Sequence, residues 1–272
     1  MIPNPFNPIL ALDSIFKARQ LIFNLAKREI FSRYSGTYFG LIWSLINPLA
    51  FLCVYTVVFG SIFKARWSGG GESIYEFGLI IFMGLIMFSI FADSILRAPN
   101  IVVGNTSFVK KIVFPIELLP IVYMISILFH AFVSFLILLI GYFFIVGPIP
   151  SGALLIPLLL IPLIFFALGA MWFISSLGVY FRDVGQFIGT SVTFLMFFSP
   201  IFYPASSIPH DFRWIIELNP ITQVLEQSRG ALFFGNPINF KSLLIQLLTS
   251  AFFCWAGYVF FLVTKKGFSD VL

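Results

Sequence analysis

The sequence predicts an all-α integral membrane protein with six transmembrane helices, and three observations support this fold class. Of the 272 residues, 60% are hydrophobic and only 10% are charged, whereas about a quarter of the residues in a soluble domain are charged. Several uncharged apolar runs are each long enough to cross ~30 Å of hydrocarbon as a helix. Lysine and arginine collect before the first run and between the runs. We expect one transmembrane domain formed by residues 1–272.

An amphipathic helix is predicted over residues 9–33, ahead of the first apolar run. Apolar side chains such as Leu12, Ile15 and Ile22 recur at a spacing of three to four residues, and basic side chains fall mostly on the other face. A basic helix with this pattern lies in the membrane interface with its apolar face toward the lipid. A purely structural anchor is the alternative interpretation.

The apolar runs predict spans at residues 40–63, 76–96, 118–146, 153–180, 184–202 and 242–264. Pro48 should kink the first span, because proline removes a backbone donor. The uncharged stretch from Leu118 to Phe181 would be ~96 Å long as one helix, so it must fold back at a turn over 147–152. A loop is expected from Arg97 to Pro115, and Asp93 should lie within reach of water or of the basic group at Arg97. Pro200 ends the fifth run early.

Both termini are predicted to be cytoplasmic, because more lysine and arginine residues then lie on the cytoplasmic side. The cytoplasmic side carries Lys17, Arg19, Lys27, Arg28, Arg33, Arg97, Lys110, Lys111, Arg182, Lys265 and Lys266. The opposite side carries Lys64, Arg66, Arg213, Arg229 and Lys241.

Motifs for enzymatic chemistry are missing from the sequence. It contains no Gly-x-x-x-x-Gly-Lys-Ser/Thr phosphate loop, no H-E-x-x-H zinc motif and no paired carboxylates within the apolar runs. We therefore predict no catalytic, cofactor-binding or metal-binding residues in this chain. The small net charge of +5 suits anionic lipid better than nucleic acid, which is not expected as a partner.

Polar side chains form a stripe on each of two predicted spans. Polar stripes on membrane helices face other helices or a water-filled path, so these residues are candidates for lining a path through the membrane. Ordinary helix packing is the alternative. The stripe on the third span comprises Tyr123, Ser126, His130 and Ser134, and that on the fifth comprises Gln186, Thr190, Thr193 and Phe197.

Two segments between the spans carry more specific patterns. The loop over 105–120 combines a basic pair with an apolar edge, which a merely solvated basic loop does not explain; its residues of interest are Asn105, Phe108, Val109, Lys110, Lys111 and Ile112. In the second segment, Asn219 and Pro220 are typical of a helix start. Ile221, Val224 and Leu225 lie on one face of that helix.

These segments resemble the membrane subunits of bacterial ABC exporters of the type-2 permease class, which secrete O-antigen, capsule and related polymers. The resemblance extends over essentially the whole chain. It is carried by the basic lead-in helix, Arg33-Tyr34 through Trp43, the 105–120 loop, Arg182-Asp183, the Pro200 region and Asn219-Pro220.

The resemblance implies a homodimer in the inner membrane that works with two copies of a separate ATPase, which binds the ATP and Mg²⁺. It implies export of a lipid-linked polysaccharide, with the 105–112 segment contacting the ATPase. It also implies an external re-entrant region over 203–236, whose gate residues would be Pro200, Tyr203, Asn219, Pro220 and Val224. Export of capsule, teichoic acid or a small lipophilic molecule is an alternative. An ion-coupled flippase and a membrane glycosyltransferase are rivals from other classes.

Overall fold

The computed structural model describes residues 8–62, 73–109, 114–217 and 219–272, and all regular secondary structure in these ranges is helical. The all-α prediction is therefore confirmed for this part of the chain. The α-helices are α1 (Pro8–Lys17), α2 (Arg19–Ser32), α3 (Trp43–Tyr55), α4 (Ile74–Val103), α5 (Thr106–Val109), α6 (Leu119–Ile145), α7 (Ile156–Tyr180), α8 (Val184–Phe197), α9 (Arg213–Glu217), α10 (Pro220–Phe233), α11 (Phe240–Thr264) and α12 (Phe268–Val271).

Five helical segments in the described residues are long and apolar enough to cross a membrane. They cover Gly40–Ile62, Ile74–Val103, Ile116–Ile145, Ser151–Tyr180 and Phe240–Val271. Short 3₁₀ or π turns extend α3, α6, α7 and α11 to these lengths. The predicted fifth span, 184–202, corresponds to α8, which ends at Phe197. At 14 residues, α8 is about 21 Å long and is shorter than the other five.

The bundle is built around α4, most of whose side chains are buried. The helices α3, α6, α7, α8 and α10 all contact it. Helix α11 packs along α7 on the outside of the bundle, and glycine allows their backbones to approach closely. A Cβ atom at Gly257 would lie only 2.2 Å from the carbonyl oxygen of Gly169. Small residues at helix contacts are common in membrane proteins for this reason.

The amphipathic segment predicted over 9–33 consists of two helices, because the chain bends at Ala18 between α1 and α2. Ile22 and Ala26 of α2 are buried against Leu118 and Val122 at the start of α6. Other apolar side chains of this segment, such as Phe23, are exposed. The apolar stripe is therefore divided between the protein core and the surface.

The predicted loop from Arg97 to Pro115 is wrong in its first part, since α4 continues to Val103. Pro99 lies inside the helix, and its backbone packs against Gly178 of α7, where a Cβ atom would lie 2.5 Å from the Pro99 carbonyl oxygen. Tight packing against α7 offsets the backbone hydrogen bond that proline removes. Asp93 forms an ion pair with Arg33, and Arg97 forms one with Glu29.

Candidate functional site

A cavity of about 300 Å³ lies between α3, α4, α6 and the chain just before the first span. One part of its lining is polar and includes Arg33, Tyr34, Asp93, His130 and Ser134. The remainder is largely apolar and aromatic. Pro48 also lines this cavity, and its missing N–H leaves the carbonyl of Ser44 without its usual intrahelical partner.

The polar part of the cavity joins the lead-in segment to α4 and α6. The Tyr34 hydroxyl lies 3.4 Å from Nδ1 of His130, and the two rings meet edge to face. Arg33 Nη2 lies 3.5 Å from the Asp93 carboxylate. Burial raises the pKa of Tyr34, so this phenol stays neutral and can donate to His130. These contacts fix the start of the first span against the bundle.

The polar stripe predicted on α6 is divided between three environments. His130 and Ser134 line the cavity, and the Ser134 hydroxyl donates to the His130 carbonyl at 3.0 Å. Ser126 is fully buried. The Tyr123 hydroxyl accepts from Asn105 Nδ2 at 3.3 Å, which connects it to the segment after α4. Helical spacing placed the four residues on one side of α6, but neighbouring elements cover only part of that side.

The polar stripe on α8 lies together on one exposed surface. Gln186, Thr190 and Thr193 line a shallow depression of about 290 Å³, and Phe197 is exposed beyond it. The threonine hydroxyls donate to carbonyls one turn earlier in the helix, which leaves their oxygens free to accept. This surface and the cavity beside His130 are separate within one chain.

The chain after α8 is held by hydrogen bonds among the predicted gate residues. The Tyr203 hydroxyl donates to the Phe197 carbonyl at 2.7 Å. Asn219 donates from Nδ2 to the Ser199 hydroxyl at 2.8 Å and accepts the Ile221 N–H on Oδ1 at 3.0 Å. The predicted helix start at Asn219 and Pro220 is therefore present in α10. Val224 is buried in the apolar core, and the carbonyl of Pro200 accepts a hydrogen bond from a side chain of α10.

That side chain is Arg229, counted above as an external charge and in fact the largest fully buried side chain described. It donates from Nε to the Ile80 carbonyl at 3.1 Å, from Nη1 to the Pro200 carbonyl at 2.5 Å and from Nη2 to the Ile201 carbonyl at 2.6 Å. Gly84 makes room for the guanidinium, since a Cβ atom there would lie 2.4 Å from Nη2. Arg229 thus joins α4, the end of α8 and α10.

Two features of the sequence pointed toward Arg229. The residue lies in a helix with a strong apolar face, and Pro200 ends α8 within an apolar run, which leaves backbone carbonyls that need donors. Counting lysine and arginine residues by the positive-inside rule assigns every arginine to a water-exposed side of the membrane. The count therefore does not identify an arginine that donates hydrogen bonds to buried carbonyls.

The segment predicted to contact an ATPase is described only in part. Lys110, Lys111 and Ile112 and the side chain of Val109 lie outside the described residues. Asn105 Nδ2 also donates to the Ile101 carbonyl at 2.9 Å, which holds the turn after α4. The Phe108 ring stacks on Phe114 with centroids 4.3 Å apart, and the Arg28 guanidinium lies 5.9 Å from its centroid. Phe108 is therefore half-buried by its own chain.

Comparison with known proteins assigns the family. Relatives include two O-antigen export system permease proteins RfbA of Klebsiella pneumoniae, 27% and 26% identical over 93% of this chain and 95% of theirs. A protein of the same name from Myxococcus xanthus is 23% identical over 96% of this chain and 99% of its own. The polysialic acid transport protein KpsM of Escherichia coli is 26% identical over 76% of this chain and 79% of its own. Residues 20–233 match the sequence model of the family described as ABC-2 type transporter. The chain therefore belongs to the ABC-2 type transporter family and is a multi-pass membrane subunit of that family.

Proposed function

We propose that this chain is the transmembrane subunit of an ATP-driven exporter that moves a lipid-linked polysaccharide of the O-antigen type across the bacterial inner membrane. One observation carries the proposal. Three relatives named as O-antigen export permeases align with more than nine-tenths of this chain and of their own lengths. Similarity over the whole length supports a shared cargo class better than a shared domain would.

The driving energy comes from a separate ATPase, two copies of which bind ATP and Mg²⁺. This part of the proposal rests on the family and on the absence of a phosphate loop from the sequence. The segment 105–112 is the proposed contact with the ATPase. It follows directly on α4, the central helix of the bundle. A displacement of this segment by the ATPase would therefore be transmitted directly to α4.

The proposed topology has six crossings, with both termini in the cytoplasm. The fifth of these crossings, residues 184–202, is α8 together with residues 198–202, and residues 203–236 form the external re-entrant region. Helices α1 and α2 lie at the cytoplasmic interface. Two copies of the chain form the exporter, and the polymer passes between them along exposed polar surfaces such as that on α8. The exposed outer side of α3, which includes Phe51 and Val54, offers a further surface for the second copy.

Capsular polysaccharide is a second candidate cargo. The observation that favours it is the similarity to KpsM, a protein named for polysialic acid transport. That similarity covers 76% of this chain, less than the O-antigen relatives cover, so O-antigen is the preferred cargo.

Inactivation of the gene in its own host tests the proposed function. We expect surface polysaccharide of one class to disappear while lipid-linked polymer accumulates inside the cell, and expression of the intact chain should restore the surface polymer. Loss of O-antigen would support the preferred cargo, and loss of capsule alone would support the second. Unchanged surface polymer and unchanged internal lipid-linked sugars would refute both.

A further inference from the structure

A second cavity, of about 400 Å³, lies between α7, the start of α10 and α11. None of the predicted path-lining residues of α6 and α8 lines it, whereas the predicted gate residues Asn219 and Pro220 do. Its volume is within the ~300–1,000 Å³ typical of small-molecule sites. Six of its lining side chains carry the argument: Phe166, Gln223, Gln246, Thr249, Ser250 and Phe253. None of the described residues that line it is charged.

The hydroxyl groups of this cavity are available as acceptors. Thr249 and Ser250 donate their hydroxyl protons to carbonyls of their own helix, so their oxygens keep lone pairs. Gln246 donates to the Pro220 carbonyl at 2.8 Å, while its Oε1 atom is buried without a hydrogen-bond partner among the described residues. Because that Oε1 atom is buried, the hydroxyl oxygens of the lining are the acceptors that a donating ligand would meet.

The composition of the lining selects the class of ligand. A phosphate or carboxylate group favours a site with positive charge, which the described lining does not provide. A sugar ring provides several hydroxyl donors, and its C–H faces can lie against aromatic faces, whose π-electrons carry partial negative charge. The rings of Phe166 and Phe253 form such a surface, stacked with centroids 4.6 Å apart.

The position of the cavity along the helices favours an amphiphile as the ligand. Gln246 and Phe253 lie about 9 and 20 Å from the start of α11 at ~1.5 Å per residue, so the cavity lies in the first half of that helix and reaches its middle. Phe252 and Ile245 line it and are exposed, which places apolar surface beside its polar groups. Under the orientation proposed above, the starts of α7 and α11 face the outer leaflet.

We propose that this cavity binds the uncharged sugar headgroup of an amphiphile in the outer leaflet, at a site separate from the polar residues of α6 and α8 that are proposed to line the path. The placement in the outer leaflet rests on the proposed topology, whereas the sugar specificity rests on the lining alone. Two sources share this chemistry, namely the lipid-linked glycan after export and a resident glycolipid.

Photolabelling tests this site. The intact chain in phosphatidylcholine nanodiscs is irradiated with an alkyl glucoside that carries a diazirine beside its sugar, and the labelled peptides are identified by mass spectrometry. Label is expected within 162–166 and 245–253. Excess unlabelled alkyl glucoside should remove it, and the alkyl phosphate of equal chain length should not. Equal competition by both amphiphiles, or label elsewhere only, would overturn the proposal.

Variants separate binding from folding. Thr249→Val removes one hydroxyl without changing shape, and the hydroxyl donates only within its own helix, so labelling should fall about two- to ten-fold, as for one lost hydrogen bond, with the unfolding midpoint unchanged. Phe187→Leu, at an exposed position of α8 outside its polar stripe, is the control and should label normally. If Gln186→Leu lost label and Thr249→Val did not, the sugar would bind at the path instead.

Competition by two further amphiphiles assigns the source. Stronger competition by a polyprenyl-phosphate-linked sugar would identify the exported glycan, and stronger competition by a glucosyl diacylglycerol would identify a resident lipid. Either result supports the site. Failure of the labelling experiment would leave the proposed export function intact, because that function is tested by the fate of the polymer after gene inactivation.

Discussion

At the scale of single residues, Arg229 shows how a charge can be placed inside a membrane protein. Its guanidinium meets three backbone carbonyls, and the Glu226 carboxylate lies 3.8 Å from Nη1. The carbonyls of Pro200 and Ile201 need a donor because α8 has ended. Charge-assisted hydrogen bonds are the stronger kind, so one side chain stabilises the break after α8 and the approach of α10.

We expect Arg229→Met to lower the free energy of unfolding by at least ~1–3 kcal/mol, because it leaves buried carbonyls without donors. Arg229→Lys should have an intermediate effect, since one ammonium group cannot reproduce the planar fork of guanidinium donors. The measurement is thermal unfolding in detergent. Arg213→Met, at an exposed arginine, is the matched control and should change the unfolding free energy by less than ~0.5 kcal/mol. Equal effects at the two positions would show that Arg229 is not structural.

For the exposed polar surface of α8, we expect a substitution to affect export and not stability. Gln186→Leu should leave the unfolding free energy within ~0.5 kcal/mol of the unmodified protein, since the side chain is exposed. If this surface lines the path, surface display of polymer should fall several-fold. Phe187→Leu, at an exposed neighbour outside the stripe, is the control. Export that is unaffected by Gln186→Leu, or reduced equally by Phe187→Leu, would count against this surface as the path.

At the scale of elements, α10 is the test of the re-entrant topology. It is 14 residues long and about 21 Å in length, and Val224 on its apolar face is buried. Ser207 and Asn236, before and after it, are exposed. Cysteines at Ser207 and Asn236 should therefore react with an impermeant thiol reagent from outside the cell, and a cysteine at Val224 should react poorly. Labelling of either exposed position only from the inside would overturn the proposed topology, and strong labelling at all three would indicate a surface helix.

The segment after α4 is the test of coupling. Burying a large side chain is worth about 1.5–3 kcal/mol, whereas charges at the rim of an interface contribute less. Phe108→Ala should therefore reduce co-purification of the ATPase more than Lys110→Ala does. Because Phe108 stacks on Phe114, Phe114→Ala serves as the control that disturbs the stack alone. Should Lys110→Ala prove the more damaging, or Phe114→Ala equal Phe108→Ala, the apolar edge would not be the contact.

Elements whose signals are local can be predicted from the sequence. Asn219 and Pro220 predicted the start of α10, because the capping side chain and its N–H partner are two residues apart. Features that depend on a distant element cannot be predicted in this way. The helix continues through Pro99 because Gly178, on another helix, packs against it, and Arg229 is buried because carbonyls on α4 and after α8 accept from it.

At the scale of the whole molecule, the chain is a bundle around α4 with two unlike polar regions. The polar cavity beside His130 holds the lead-in segment to the bundle through Tyr34. The α8 stripe remains exposed, so either lipid or a second copy of the chain would contact it. Composition and hydropathy predicted the membrane fold, but the sequence could not distinguish these two environments. Helical spacing shows on which face of its helix a residue lies, but it does not show which other element packs against that face.

The central claim is that this chain, paired with an ATPase, moves a lipid-linked polysaccharide across a membrane, and transport in proteoliposomes tests it most directly. Vesicles containing the chain and its ATPase receive fluorescent lipid-linked O-antigen on the face that carries the ATPase. We expect ATP to move the glycan to the opposite face, and we expect no movement without ATP, without the ATPase or without this chain. Movement that persists without the ATPase, or a complete system that moves no lipid-linked glycan while hydrolysing ATP, would contradict the claim.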